Sequence, residues 1–355
     1  MEVNLQKIKF CNLNINKLKE LIKSNFIIFL VFISIFTFLI SFSIGFYKIH
    51  VRDVIKTLLD PIFHFKDITL SPQIQTVIWN IRMPRIIAAF IVGASLSISG
   101  SAYQCMFKNP LVSPDILGVS AGAGLGAALA ISLGLPYYYT QLFAFTFGIV
   151  VVFLSYLVSI NVRTGQTLSL VLAGTLFGTL STSTTSLLKY VADPTDKLPN
   201  ITFFLMGSLA KVQYKDLIIT ILPMIIGFFI LYGVRYRLNI LTLDDEEAAS
   251  LGINPFKLRL IVILASTLLT ASSVCIAGLV GWIGLIIPHI TRMFTGANYQ
   301  KLLPASLLLG GTFLLIVDNL ARSLATMEIP LGIITSILGA PFLLRLIMKN
   351  RGDKL

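Results

Sequence analysis

Four consecutive carboxylates, Asp244, Asp245, Glu246 and Glu247, stand within the stretch NILTLDDEEAASLGINP (Asn239–Pro255), between long apolar runs. Their chemistry is that of charge: each costs roughly 2.5–3.5 kcal/mol at the centre of a bilayer, and the four together on the order of 10 kcal/mol or more. This stretch therefore lies in water. Thr242 followed three places on by Asp245 reads as a capping box, Gly252 supplies a left-handed helix end, and Asn254-Pro255 prevents continuation. The spacing predicts a helix of about two turns over Thr242–Gly252, whose small residues Ala248, Ala249 and Gly252 permit close docking. With nothing of its own to pack against, such a helix either seats in a partner or is an ordinary solvated loop helix.

Hydroxyls form a second group. Thr175, Thr179, Thr182 and Ser186 recur three or four residues apart and so share one helix face. Such a stripe either lines a wet pathway or bonds back to its own helix and packs against a neighbour. Arginines form a third group: Arg82 and Arg85 in RMPR, and Arg322, stand at the ends of apolar runs. A guanidinium there either meets carboxylates of a partner in bidentate fashion or anchors a helix end at headgroup level. Arg322 also lies four residues after Asp318, a spacing at which the two pair on one helix.

Other chemistry is missing. No GxxxxGK[ST] loop or other nucleotide-binding motif is present, so any energy from ATP enters through another subunit. His50, His64 and His289 make no metal-ligand cluster, and Cys11, Cys105 and Cys275 are too far apart for a disulfide framework or a metal spacing. Ionisable residues inside apolar runs are scarce, Asp318 being the clearest, which argues against a proton relay.

The elements that must hold these residues are membrane spans. The chain of 355 residues is 55% hydrophobic and 12% charged, with a mean hydropathy of +0.86, whereas soluble domains carry about a quarter charged residues. Its net charge of +12 sits at the ends of apolar runs, which fits membrane orientation and not nucleic acid. A basic tail over residues 1–25, with Lys7, Lys9, Lys17, Lys19 and Lys23, is expected in the cytoplasm. The run that follows lacks a cleavage signature and is expected to remain as a span.

Ten spans are expected within residues 26–348: about Phe26–Phe46, Met83–Cys105, Ile116–Gly134, Tyr137–Ile160, Leu168–Val191, Lys215–Val234, Leu258–Ala277, Leu279–Thr295, Leu303–Ala321 and Pro330–Met348. A basic cytoplasmic tail, 349–355, follows. Gly118, Gly122 and Gly126 on one face of the third span let two helices approach closely. The amphipathic piece Val51–Phe63 is expected along the outer surface, and FFLMGSL (Phe203–Leu209) is too short to span. This topology puts the acidic helix inside and the three arginines outside.

Several long stretches then carry a resemblance: RMPRIIAAFIVGASLSISGSAYQCMFKNPLVSPDILGVSAGAGLGA (Arg82–Ala127), FFLMGSL, LTLDDEEAASLG, CIAGLVGWIGLIIPHITRMFTG (Cys275–Gly296), LIVDNLARS and EIPLGIITSILGAPFLLRL. They resemble the permease subunits of the FecCD family, the ten-span ABC importers for ferric siderophores, haem and vitamin B12. The resemblance runs from Arg82 to Leu346. It implies an all-α polytopic membrane protein of type II ABC importer permease architecture, in the cytoplasmic membrane of a bacterium. It implies a second permease chain, identical or paralogous, around a central pathway, and an extracytoplasmic substrate-binding protein that delivers the cargo. Two ATPase subunits on the cytoplasmic face would carry the ATP and Mg, with no cofactor on this chain and no catalytic residue. The resemblance further implies that Thr242–Gly252 is the coupling helix, that the fifth span lines the pathway, and that Arg82, Arg85 and Arg322 face acidic residues of the binding protein. Ferric siderophore leads as cargo, with haem or vitamin B12 as alternatives and an ion-coupled secondary transporter as a more distant one.

Overall fold

The structure, a computed structural model, describes residues 25–45, 47–63, 71–161, 166–325 and 327–352. The expected N-terminal tail, apart from its last residue, and residues 353–355 of the C-terminal tail lie outside the described residues. The described residues form helices and connections, with no strand among them.

In chain order the helices are α1 (Phe26–Ser41), α2 (Val51–Phe63), α3 (Pro72–Met106), α4 (Val119–Ser132), α5 (Tyr137–Ile160), α6 (Gln166–Val191), α7 (Lys197–Met206), α8 (Tyr214–Leu241), α9 (Asp245–Ser250), α10 (Pro255–Ala277), α11 (Ile283–Thr295), α12 (Tyr299–Ala321) and α13 (Leu331–Gly352). Among the described residues, α3, α5, α8, α10 and α12 are each long and apolar enough to cross a membrane. The amphipathic piece is helical over its expected bounds, as α2.

Burial sorts the helices into a centre and a rim. The most apolar window of α3 is 83% buried and that of α10 78%, against 28% for α8 and 33% for α5, so α3 and α10 form the core. Small residues make this possible: a Cβ on Gly93 would stand 2.3 Å from the carbonyl oxygen of Gly310, and one on Gly100 would stand 1.8 Å from that of Gly284. Backbone thus meets backbone where α3 crosses α12 and α11, the close approach that small residues allow between apolar helices. Ser101 Oγ donates to Ser306 Oγ at 3.0 Å in the same seam. On the rim, α1 exposes Phe29, Phe32, Phe36 and Leu39 and buries Leu30, while Ser34 Oγ and Thr312 Oγ1 lie 2.7 Å apart against α12.

Three expected spans are shorter than their apolar runs: the first stops at Ser41 with 16 residues, before the expected Phe46, and the third and eighth differ in form as well. The third does not begin at Ile116: Pro114–Leu117 is a 3-10 turn, Gly118 caps it at φ 81°, and α4 starts at Val119. Gly118 therefore makes a turn, while Gly122 and Gly126 meet α5 as expected, with Cβ positions that would fall 2.7 and 2.2 Å from the carbonyl oxygens of Phe147 and Phe143. The eighth was expected over 279–295, yet α11 has 13 residues, about 20 Å of helix, well short of an apolar layer of about 30 Å. Its missing turn is an irregular stretch from Gly278, at φ 65°, to Trp282, where Ile283 N donates to the Gly281 carbonyl at 2.9 Å in a three-residue turn. Gly278 is required there, because a Cβ would stand 2.2 Å from the Phe204 carbonyl oxygen.

Candidate functional site

Three groups of residues were expected to act, and the helices distribute them between the two ends and one face of the bundle. At the first end, α8 runs to Leu241 and Thr242 caps it, its hydroxyl donating to the Asn239 carbonyl at 2.7 Å. The expected capping box at Thr242 and Asp245 is therefore not formed. Asp244 is the N-cap instead, in extended conformation, and α9 covers six residues, somewhat shorter than two full turns. Thr242 belongs to α8 because that helix outlasts its apolar run by a further two turns.

The C-terminal end of α9 follows the expectation. Gly252 has φ 78°, Gly252 N donates to the Ala249 carbonyl at 2.9 Å, and Ile253 N donates to the Ala248 carbonyl at 3.1 Å. This pair of bonds is a Schellman motif, for which glycine avoids the Cβ penalty. Asn254 then caps α10, accepting from Lys257 N at 3.1 Å with Pro255 at the first turn. The Asn-Pro pair thus ends one helix and starts the next.

Two ion pairs fix the acidic helix to the bundle. Asp244 accepts from Lys108 Nζ at 3.1 Å, and Asp245 accepts from Arg259 Nη1 and Nη2 at 2.9 and 2.6 Å in a bidentate pair. The hydrogen-bonded Arg259 guanidinium holds the Asp245 carboxyl below its usual range. Ala248 is the buried anchor, whereas Glu246, Glu247, Ala249, Ser250 and Gly252 are exposed. A groove of about 480 Å3 runs beside them, lined by Asp245, Ala249, Ile253 and Phe256 among others. Neither Lys108 nor Arg259 was singled out from the sequence; Arg259 carried a signal, lying on the second turn after Pro255 and so beside the start of the acidic helix.

At the opposite end, where the arginines are expected to meet a partner or anchor helix ends, all three are buried within the chain. Arg82, Arg85 and Arg322 are 4%, 5% and 8% exposed. Arg85 Nε donates to Asp318 Oδ1 at 2.9 Å and its Nη1 to Glu328 Oε1 at 2.6 Å. Arg322 Nε lies 3.1 Å from Asp318 Oδ2, so Arg322 does pair with the residue four places before it. Arg82, which ends a π turn over Val77–Arg82, donates to the carbonyls of Phe42 and Tyr47. Partners drawn from three separate segments, the α1–α2 connection, α12 and the stretch before α13, account for the burial.

The hydroxyl stripe lies on α6. Thr175, Thr179, Thr182 and Ser186 are all exposed, and each donates to a carbonyl of its own helix, at 2.8, 2.8, 2.9 and 3.0 Å. The stripe is thus bonded internally yet exposed among the described residues. Leu172, Leu176 and Leu180 are exposed beside it, so α6 presents a broad open face. Cys105 and Cys275 are buried free thiols.

Comparison with known proteins agrees with this architecture. The model of the FecCD transport family matches residues 32–349. A molybdate import system permease protein, MolB of Haemophilus influenzae, is 40% identical over 309 residues, 86% of this chain and 90% of that one. A Helicobacter pylori protein described as a probable iron chelatin transport system permease is 41% identical over 289 residues, 81% of this chain and 87% of its own. A solved structure described as an inward-facing conformation of a metal-chelate type ABC transporter superposes with a TM-score of 0.82 at 39% identity, covering 92% of this chain and 99% of that one. The chain belongs to the FecCD transport family and has the fold of an ABC importer permease.

Proposed function

We propose that this chain and a second permease chain, identical or paralogous, form the translocation pathway of an importer for an iron chelate in the cytoplasmic membrane of a bacterium. The observation that carries this is the form of α9. A helix pinned by two ion pairs and a closed C-terminal motif can transmit force, and its exposed residues offer a surface to something outside the chain. On this reading two ATPase subunits, with ATP and Mg, seat Ala249, Gly252 and the free carboxylates Glu246 and Glu247. The open face of α6, with Thr175, Thr179, Thr182 and Ser186, lines the pathway against the second chain.

Docking of the binding protein falls at the opposite, outer end, where Arg82, Arg85 and Arg322 lie. Because they are buried and already bonded within the chain, docking there works through exchange of a partner at this cluster and not through free charge.

The relative described as an iron chelatin permease supports a ferric siderophore as cargo. The molybdate relative, at nearly equal identity, favours a second reading, an oxyanion cargo, over haem or vitamin B12. Since cargo is selected mainly by the binding protein, titrating the cognate binding protein with ferric siderophore and with molybdate separates the two. Saturable binding of the ferric siderophore and not of molybdate is expected; the reverse would replace the iron reading with the oxyanion one.

A further inference from the structure

Arg85 has two carboxylate partners of unequal standing. Asp318 is fully buried and is shared with Arg322, whereas the Glu328 side chain is 41% exposed although its Oε1 lies 2.6 Å from Arg85 Nη1. Withdrawing Asp318 would take from two buried guanidiniums the carboxylate they share, and would leave Arg322 with no charged partner among the described residues, which is strongly unfavourable. Glu328 can rotate into water at little cost. The charges at this end do not balance either: three guanidiniums face two carboxylates, and Arg82 is met by main-chain carbonyls.

Glu328 is also tied to the junction of three helices. Its segment, residues 327–331, is tied back by Ile329 N to the Ala321 carbonyl at 3.2 Å and forward by Leu331 N to the Gly207 carbonyl at 2.9 Å. Next to Gly207, Ser208 N donates to the Ala277 carbonyl at 2.8 Å. The start of α13, the end of α7 and the end of α10 thus meet at one junction, beside an open groove of about 460 Å3 lined by Met206, Leu279, Gly332 and Ile333.

We propose that Glu328 is an internal stand-in, a carboxylate that occupies Arg85 until an acidic side chain of the extracytoplasmic binding protein replaces it. The exchange frees residues 327–331 and with them the Leu331–Gly207 contact. This rests on the docking reading above and deepens it by naming the group displaced and the segment released. Arg85 is already desolvated and oriented by Asp318, so an incoming carboxylate replaces an equivalent bond and does not bear the cost of ordering the guanidinium. Its competitor is Glu328.

The test uses the whole transporter in zwitterionic nanodiscs, titrated with its binding protein. Glu328→Gln removes the competing charge and should tighten binding roughly three- to tenfold, while Arg85→Gln should weaken it. Weakening by Arg85→Gln without tightening by Glu328→Gln overturns the stand-in and leaves the docking reading intact. Unchanged affinity in Arg85→Gln overturns the docking reading itself. Spin labels at two exposed positions, Met327→Cys and Lys211→Cys, should change separation when the binding protein is added, and Glu328→Gln should shift that distance without it. A constant distance in both cases rules out release of the segment. If phosphatidylglycerol in the disc shifts the distance with no binding protein present, the occupant is a lipid headgroup, and the proposal fails.

Discussion

Asp318 is the residue on which one end of the bundle depends. It is fully buried, and Arg85 and Arg322 both reach it. Breaking a buried pair by removing one partner typically costs about 3–5 kcal/mol, so Asp318→Asn should lower the thermal stability of the purified permease markedly. Glu328→Gln, on the half-exposed member, should lower it little; equal losses in a melting experiment would mean that the two carboxylates carry the same structural weight. Asp245 gives a prediction of opposite kind at the other end. Its carboxyl is held below the ordinary value of 3.8 by Arg259, so the pair contributes fully above that value and is lost only as pH falls through the depressed one. Coupled ATPase activity should therefore show no Asp245-dependent inflection between about pH 6 and 8. An inflection in that range that disappears in Asp245→Asn would contradict the pairing. Residue types at both ends were legible in the sequence, including the spacing of Asp318 and Arg322. The burial of Arg82 and Arg85 was not, because their partners come from residues 35 to 243 positions away, a distance at which spacing carries no information.

At the scale of elements, the acidic helix shows what local rules capture. Gly252 and Asn254-Pro255 act as their types dictate, since a left-handed end and a helix start depend on a few adjacent residues. The start was misplaced because Thr242 is claimed by α8, whose length is set by tertiary contacts such as Asn239 Oδ1 accepting from Tyr299 N at 2.9 Å. A helix so pinned transmits force only if its partner can approach closely. Replacing exposed Ala249 with Trp puts an indole on the face proposed to seat in the ATPase. Transport and stimulation of ATPase activity should be abolished in a variant that still purifies as a folded permease, and unaltered transport would remove α9 from the coupling path. Gly278 makes the complementary case: its need for a left-handed, Cβ-free position comes from Phe204, on a different helix, and so the short α11 was not legible from an apolar run that reads as continuous.

For the whole molecule, apolar runs and long motifs located the helical bundle, whereas the division between centre and rim came from packing. Glycine and alanine mark α3 as a helix that others approach closely, yet the same composition in α4 gives a helix of 14 residues with a turn before it. The face of α6 is open among the described residues, and the second permease chain proposed above, identical or paralogous, would cover it. The sidedness of the molecule decides whether the pathway can be driven as proposed, because the acidic helix must face the ATPase and the arginine end must face the binding protein. Asp193 lies in the connection between α6 and α7, and Asp244 lies before α9; both are exposed. In whole cells of a Cys11→Ser background, a membrane-impermeant thiol reagent should label Asp193→Cys and spare Asp244→Cys until the membrane is opened, with the buried native cysteines Cys105 and Cys275 left unlabelled. The opposite pattern would place α9 outside, away from any ATP, and both the coupling role and the docking role would fall together.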